Sequence, residues 1–244
     1  MAETVVLLLT CEHGGNRIPP RYRALFRGQR RRLESHRGYD RGALACARAM
    51  AARLAAPLFA AETSRLLVDL NRSLHHPALF SAVTRPLPRV VREQILEHHY
   101  HPHRRRVERW IASRIKSGRV VTHVAVHSFT PRLNGERRTA DIGLLYDPRR
   151  ALEAGVCAAW KQALKVDGRA ARRNYPYRGV SDGLTRHLRG RFPPERYAGI
   201  ELEINQRLLR RRGLEALRRQ LADTLAVAIS SLSIRSQSGW ARGR

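Results

Sequence analysis

VVLLLTCEHGG, residues 5–15, opens on five consecutive valines and leucines and stops at a histidine set between a glutamate and two glycines. A short apolar run bounded by a turn signal reads as a buried strand that ends in a tight loop and gathers polar groups at its carboxyl end. The pattern recurs. Residues 120–126 are β-branched and stop at His127-Ser128, and the apolar run 66–70 ends at Asn71-Arg72. Residues 142–146 and 200–204 give two further candidate strands, the last carrying Glu201 and Glu203.

Helical patterns fill the intervals. Residues 42–56 space Leu44, Ala47, Met50, Ala51 and Leu54 at helical intervals before Pro57 closes the run. Residues 90–115 carry Val91, Ile95, Val107, Ile111 and Ile115, interrupted near Pro102, which predicts two helices or one kinked helix. Helices are also expected over 148–164 and 208–232, the second amphipathic and closing the fold. Residues 168–197, rich in Gly, Pro and Arg, read as a long functional loop or lid with a short helix in it. The polar segment 233–244 is expected to be a disordered tail. Apolar strands alternating with helices predict an α/β fold, with a mainly parallel sheet covered on both faces and ligands bound off the carboxyl ends of its strands. No repeat and no domain boundary is visible, so 1–232 is taken as a single domain.

The 244 residues include 47 Lys+Arg against 20 Asp+Glu, a formal charge of +27. Such a field attracts polyanions. All but three of the 47 basic residues are arginine, however, the lysines being Lys116, Lys161 and Lys165. A GC-rich coding sequence produces the same bias, and runs such as Arg30-Arg31-Arg32, Arg104-Arg105-Arg106 and Arg210-Arg211-Arg212 read as solvated helix faces. No helix-turn-helix, RNP motif or zinc finger accompanies them, so nucleic-acid binding is not expected. With 43 % hydrophobic residues the chain can bury a core, which excludes a disordered class. No apolar run is long enough for a membrane span and no basic segment precedes 5–9, so the chain reads as soluble and cytoplasmic. Cys11, Cys46 and Cys157 are odd in number and far apart, and are read as reduced thiols.

Four polar strand ends, Glu12-His13, Asp69 with Asn71-Arg72, His127-Ser128, and Glu201 with Glu203, meet in one crevice if the strands are neighbours. Two imidazoles and a carboxylate with an open position form the ligand set of a catalytic zinc site, and a further glutamate can take a proton from the water. The ligands are scattered and no HExxH is present, so histidines that merely hydrogen-bond remain the other reading. The dense group His98, His99, His101 and His103 lies among arginines and is read as a solvated face. Cys11, beside His13, is read as a small buried hydrophobe.

Seven segments in order, TCEHGGNRIP (10–19), HRGYDRGA (36–43), SRLLVDLNR (64–72), AVHSFTP (125–131), DIGLLYDP (141–148), NYPYRGVSDGLT (174–185) and GIELEINQ (199–206), resemble the N-formylglutamate amidohydrolase family. That resemblance implies a three-layer α/β/α sandwich around a mixed, mostly parallel sheet of the phosphorylase/hydrolase-like kind, shared with zinc carboxypeptidases and aspartoacylases. It also implies that His13 and His127 ligate one Zn2+ per chain. The carboxypeptidase-like pattern would put a carboxylate three residues after the first histidine, where this chain has Asn16. Asp40 is chosen as the remaining ligand, with Glu12 as runner-up, although an aspartate before a helix also commonly caps it. Glu203 matches the general base, and Glu201, on the same strand face, supports it or pairs with an arginine. Asn71-Arg72 looks like the Asn-Arg clamp for a substrate carboxylate. Arg65 and Arg178 are secondary candidates for which an ordinary salt bridge is the alternative, and Asp182, Thr185 and His187 fall in the lid.

The function expected is zinc-dependent hydrolysis of the amide of an N-formyl or N-acyl acidic amino acid, such as N-formyl-L-glutamate, with a small-molecule substrate as partner. The alternative from another class is an arginine-rich binding protein for nucleic acid or an anionic partner that has lost catalysis. The HRGYD and GLTRHLR segments diverge from the family pattern and leave the acyl group open.

Overall fold

The computed structural model describes residues 4–210 and 213–238. The strands are β1 (Val5–Cys11), β2 (Leu58–Ala60), β3 (Val120–Phe129), β4 (Arg132–Leu133), β5 (Glu136–Arg137), β6 (Ile142–Leu145), β7 (Ala171–Arg173) and β8 (Tyr197–Asn205). The helices are α1 (Arg30–Leu33), α2 (Ala43–Arg53), α3 (Arg89–Ile95), α4 (His101–Lys116), α5 (Ala151–Val166), α6 (Leu184–Arg189) and α7 (Leu214–Ser238). Six strands form one sheet in the order β2-β1-β3-β8-β6-β7, and β4 and β5 make a separate hairpin. Only the β8–β6 pairing is antiparallel within the six-stranded sheet, which is therefore mixed and mostly parallel as expected.

Alternation along the strands separates two cores. Leu9 and Cys11 of β1, with Val124, Val126, Ile200 and Leu202, pack against α2, α5 and α7. Leu8, Val121 and Tyr197 face the other way, toward Val107 and Ile111 of α4 and Leu184 and Leu188 of α6. The central strand β3 is buried along its whole length. It therefore reads as a largely apolar run, and the two imidazoles among its polar residues, His123 and His127, have to find polar partners inside. Trp160 of α5 is fully buried and donates its indole N–H to Thr224 of α7 at 3.0 Å.

Several local readings change in the fold. Residues 66–70 are buried but form turns instead of a strand. The Ser64 hydroxyl accepts the Leu66 N–H at 3.2 Å, the Leu67 N–H reaches the Ser64 carbonyl at 2.9 Å and the Asp69 N–H reaches the Leu79 carbonyl at 2.9 Å, so turn and loop bonds satisfy this backbone without a ladder. The edge strand is instead β2, three residues long and paired with the end of β1. The 90–115 region is one continuous helical run in which a π-helical turn, Leu96–Tyr100, joins α3 to α4 next to Pro102, where the missing N–H breaks the regular ladder. Arg104, expected on a solvated face, is buried, because it lies on the same stripe as Tyr100, Val107 and Ile111. The closing helix continues to Ser238, past 232. The remainder of the expected tail, 239–244, and Arg211 and Arg212 of the arginine run lie outside the described residues. Among the described residues no helix is long and apolar enough to cross a membrane.

Candidate active site

His13 follows the end of β1, and its carbonyl accepts the Asp40 N–H at 2.9 Å. Asp40 sits in the loop before α2, which is pinned from the other side by the Ser128 hydroxyl donating to the Arg41 carbonyl at 2.9 Å. The left-handed φ of 79° at Gly42 starts the helix, and a Cβ there would come within 2.7 Å of Leu209. Glycine therefore begins α2, and the Asp40 carboxylate, which makes no capping bond, is free to turn into the crevice. His127 lies near the carboxyl end of the fully buried β3. Its partner in the parallel register is Glu203 of β8, and Gly143 of β6 stands opposite Glu203 on the far side. A side chain at Gly143 would run into the Tyr175 carbonyl at 1.8 Å, so glycine lets the 174–183 segment close down over the sheet beside Glu203.

Three of these side chains converge. His13, Asp40 and His127 are all buried, and each offers one ligand atom within 4.8 Å of the others. Both rings turn Nδ1 toward the same oxygen, Asp40 Oδ2, at 3.4 Å for His13 and 2.9 Å for His127. The opposite nitrogen of each ring is backed by a different carboxylate. His13 Nε2 lies 2.7 Å from Asp69 Oδ1, and His127 Nε2 lies 3.3 Å from Glu12 Oε2. Imidazoles that ligate metals are oriented in this way by carboxylates behind them. His13 Nδ1 and Glu203 Oε2 are buried without a hydrogen-bond partner, a cost that a ligand between them would remove. The donor set thus fits a divalent ion of borderline character such as zinc.

Behind these groups stands the half-buried Arg65. Arg65 donates to Asp69 Oδ2 at 2.6 Å and lies 3.6 Å from Asp40 Oδ1, tying the two carboxylates together. Burial alone would raise Asp69 and Asp40, but Arg65 and His13 hold Asp69, and His13 and His127 hold Asp40, well below the usual carboxylate range. His127 is the reverse case. Burial opposes its charge, yet Asp40 and Glu12 keep its pKa well above that of a free imidazole. Glu203 has no such compensation, and burial, reinforced by Asp40 and Glu201, pushes its carboxyl up to about 8 against the pull of His127.

A cavity of about 280 Å³ opens over this cluster. Asn71, Arg72, Arg65, Arg178, Asp182, Glu201 and Glu203 all reach its wall together with His13, Asp40 and His127. Asn71 accepts the Leu184 N–H at 2.7 Å, and Arg72 donates to the Asp182 carbonyl at 3.2 Å, so this pair also stitches the 71–73 turn to the start of α6. Thr185 lies apart from the wall. It is fully buried and donates to Glu201 Oε1 at 2.7 Å from behind. His187 is on the outer side of α6, 3.4 Å from Glu108. Glu12, the alternative ligand, stands behind His127, outside the His–Asp–His group. Cys11 points into the opposite core, where burial pushes its thiol well above the usual range.

Two supporting residues escaped the sequence reading. Arg104 donates to the Leu70 carbonyl at 3.1 Å and to that of Arg72 at 3.4 Å, and so shapes the clamp turn. Its place on the apolar stripe of α4 was the available signal. In the sequence Asp69 is one polar residue in an apolar run, and nothing local marks it as the partner of His13.

The fold and pocket define an α/β protein with a buried, metal-competent His–Asp–His group at the ends of parallel strands. A solved structure of the gene product Atu2144 from Agrobacterium tumefaciens is similar over 93 % of this chain and 91 % of its own, with 31 % identity and a TM-score of 0.81. The N-formylglutamate amidohydrolase from Ralstonia eutropha JMP134 shares the fold over 96 % of both chains, at 21 % identity and a TM-score of 0.70. Among curated proteins none matches significantly. The profile described as N-formylglutamate amidohydrolase matches residues 5–210, and the chain belongs to that family of hydrolases.

Proposed function

We propose that the protein is a zinc-dependent amidohydrolase of the cytoplasm that cleaves the amide of an N-formyl or N-acyl acidic amino acid, N-formyl-L-glutamate being the first substrate to test. The observation that carries this reading is the pair of imidazoles aimed at one Asp40 oxygen, each backed by its own carboxylate. His13, Asp40 and His127 would hold the ion. When bound, such an ion supplies Lewis acidity toward an acyl oxygen and lowers the pKa of a water.

The chain's own groups do the rest. Glu203, with one oxygen without a partner, would be held ionised by the charge of a bound ion despite the burial that pushes its carboxyl up to about 8, and it takes the proton of the attacking water and returns it to the departing amine. Arg72, reinforced by Arg178 on the facing wall, binds the substrate carboxylate, while Asn71 fixes the turn that presents Arg72. Arg65 is held by Asp69 and Asp40 and acts on the metal cluster more than on substrate. Asp182 and Thr185 brace the wall, the one through the Ser73 N–H at 3.0 Å and the other through Glu201. The buried cysteines agree with a reducing compartment.

Elemental analysis of the purified protein and of His127→Ala, followed by formate release from N-formyl-L-glutamate, tests the reading. Near-stoichiometric zinc that falls in the variant, together with formate release in the wild type, is expected. A protein that stays metal-free and inactive after zinc is supplied would overturn it.

A further inference from the structure

The histidine-rich segment that runs through the π-helical turn into α4 lines none of the cavity over His13 and His127, yet it does not face solvent uniformly. In the run through the π-helical turn into α4, His99, His103 and Arg106 follow at i, i+4 and i+7 and so lie along one side of the helix. That side meets the end of the edge strand β2 and encloses a cavity of about 240 Å³, close in size to the first. Its apolar lining is Ala60, Ala61 and Pro102 at the mouth over the buried Phe59, Val68 and Leu70, and its polar side chains are nitrogen-bearing apart from the Thr63 hydroxyl. No aspartate or glutamate among the described residues lines it.

The cationic group is in place. The Arg106 guanidinium stacks on the Phe59 ring at 4.1 Å, and among the described residues it has no carboxylate partner. Stacking orients the plane of the fork while leaving its N–H edge free to donate. His103 is held at the rear, its side chain 9 % exposed and its Nε2 3.3 Å from Glu12 Oε1. His98 is oriented by a contact from Nδ1 to the Gln94 carbonyl at 2.6 Å. An uncommitted guanidinium with imidazoles beside it, above an apolar floor and without acidic groups, suits an anion that carries a hydrophobic body.

We propose that this cavity is a second binding site, for a small carboxylate with a short apolar or aromatic tail, its carboxylate on Arg106 and His99 and its tail along Ala60, Ala61 and Pro102. It is separated from the cavity over His13 and His127 by the Glu12 side chain, and it stands independently of the hydrolase reading.

Calorimetric titration of the whole chain with benzoate, against benzyl alcohol as an uncharged aromatic analogue, tests the site. Saturable benzoate binding is expected, with benzyl alcohol at least about tenfold weaker, as loss of a charge-assisted hydrogen bond requires. Arg106→Gln should weaken benzoate about tenfold or more and His99→Gln by less, both with unchanged circular dichroism. The same binding event should persist in Arg72→Gln. Binding lost in Arg72→Gln but kept in Arg106→Gln would assign benzoate to the first cavity and overturn the proposal. Absence of saturation, or equal affinity for benzyl alcohol, would do so as well.

Discussion

His127 and Glu203 stand directly opposite one another on adjacent parallel strands, His127 on β3 and Glu203 on β8. Side chains at paired positions share one face of a sheet, so the register alone sets an imidazole of the His–Asp–His group beside a carboxyl that burial pushes up to about 8. Glu203→Gln keeps the shape and removes the base. Metal content should stay at the wild-type level while kcat falls by about 10²–10⁴-fold, the range for a general acid–base group. Parallel elemental analysis and formate assays check both halves, and loss of metal in this variant would make Glu203 part of the ligand set instead.

Asp69 touches His13 through the nitrogen away from Asp40. Asp69→Asn should lower zinc affinity about 10–100-fold without abolishing it, as removing a carboxylate behind a ligating imidazole does. Competition against a chromogenic chelator measures the shift; an unchanged affinity would mean that His13 needs no such support.

Arg104 satisfies two carbonyls of the clamp turn and stacks over the Tyr100 ring at 5.1 Å. Arg104→Met should cost about 1–3 kcal/mol in chemical denaturation, because a buried carbonyl is left unpaired. The loosened turn should raise KM for the amide substrate more than it lowers kcat, since Arg72 and not the His–Asp–His group is displaced.

Burial also governs His123, which is fixed between Thr10 at 2.9 Å and the Tyr197 hydroxyl at 2.8 Å. Desolvation lowers its pKa to about 4 in the folded protein, against about 6.5 in an unfolded chain. The unfolded chain therefore takes up the proton first as the pH drops. Stability from this residue is complete above about pH 6.5 and is lost as the pH falls toward 4, by about 3 kcal/mol. His123→Gln, which keeps polar atoms but does not titrate, should show a flatter dependence over that window. Urea unfolding of both proteins at pH 7 and pH 4.5 gives the difference, and identical slopes would refute it.

The alternating apolar runs carried the α/β class, the mostly parallel sheet and the polar strand ends, because strands buried on both faces must be apolar and their polar residues can emerge only where they stop. The same logic misread 66–70, whose leucines and valine are buried as turns. Hydrophobicity reports burial and not the conformation in which it is achieved. Solvation was misjudged for Arg104 and His103, where a charged or polar side chain falls on the buried side of a helix, since net charge in a segment does not say which way each residue faces.

His13 and His127, Asn71-Arg72 and Glu203 could all be picked from the chain, since each lies in a segment resembling the family and at the end of, or within, an apolar run. Pairing was another matter. That Asp40 meets both imidazoles while Glu12, adjacent to His13 in sequence, turns behind His127 depends on strand order, on the β3–β8 register and on a loop hinged at Gly42. Those contacts span 87 and 115 residues in sequence, and residue type and spacing contain no term for distances across such separations. They exist because the sheet brings its strand ends within a few ångströms of one another and leaves the buried polar atoms no other partners.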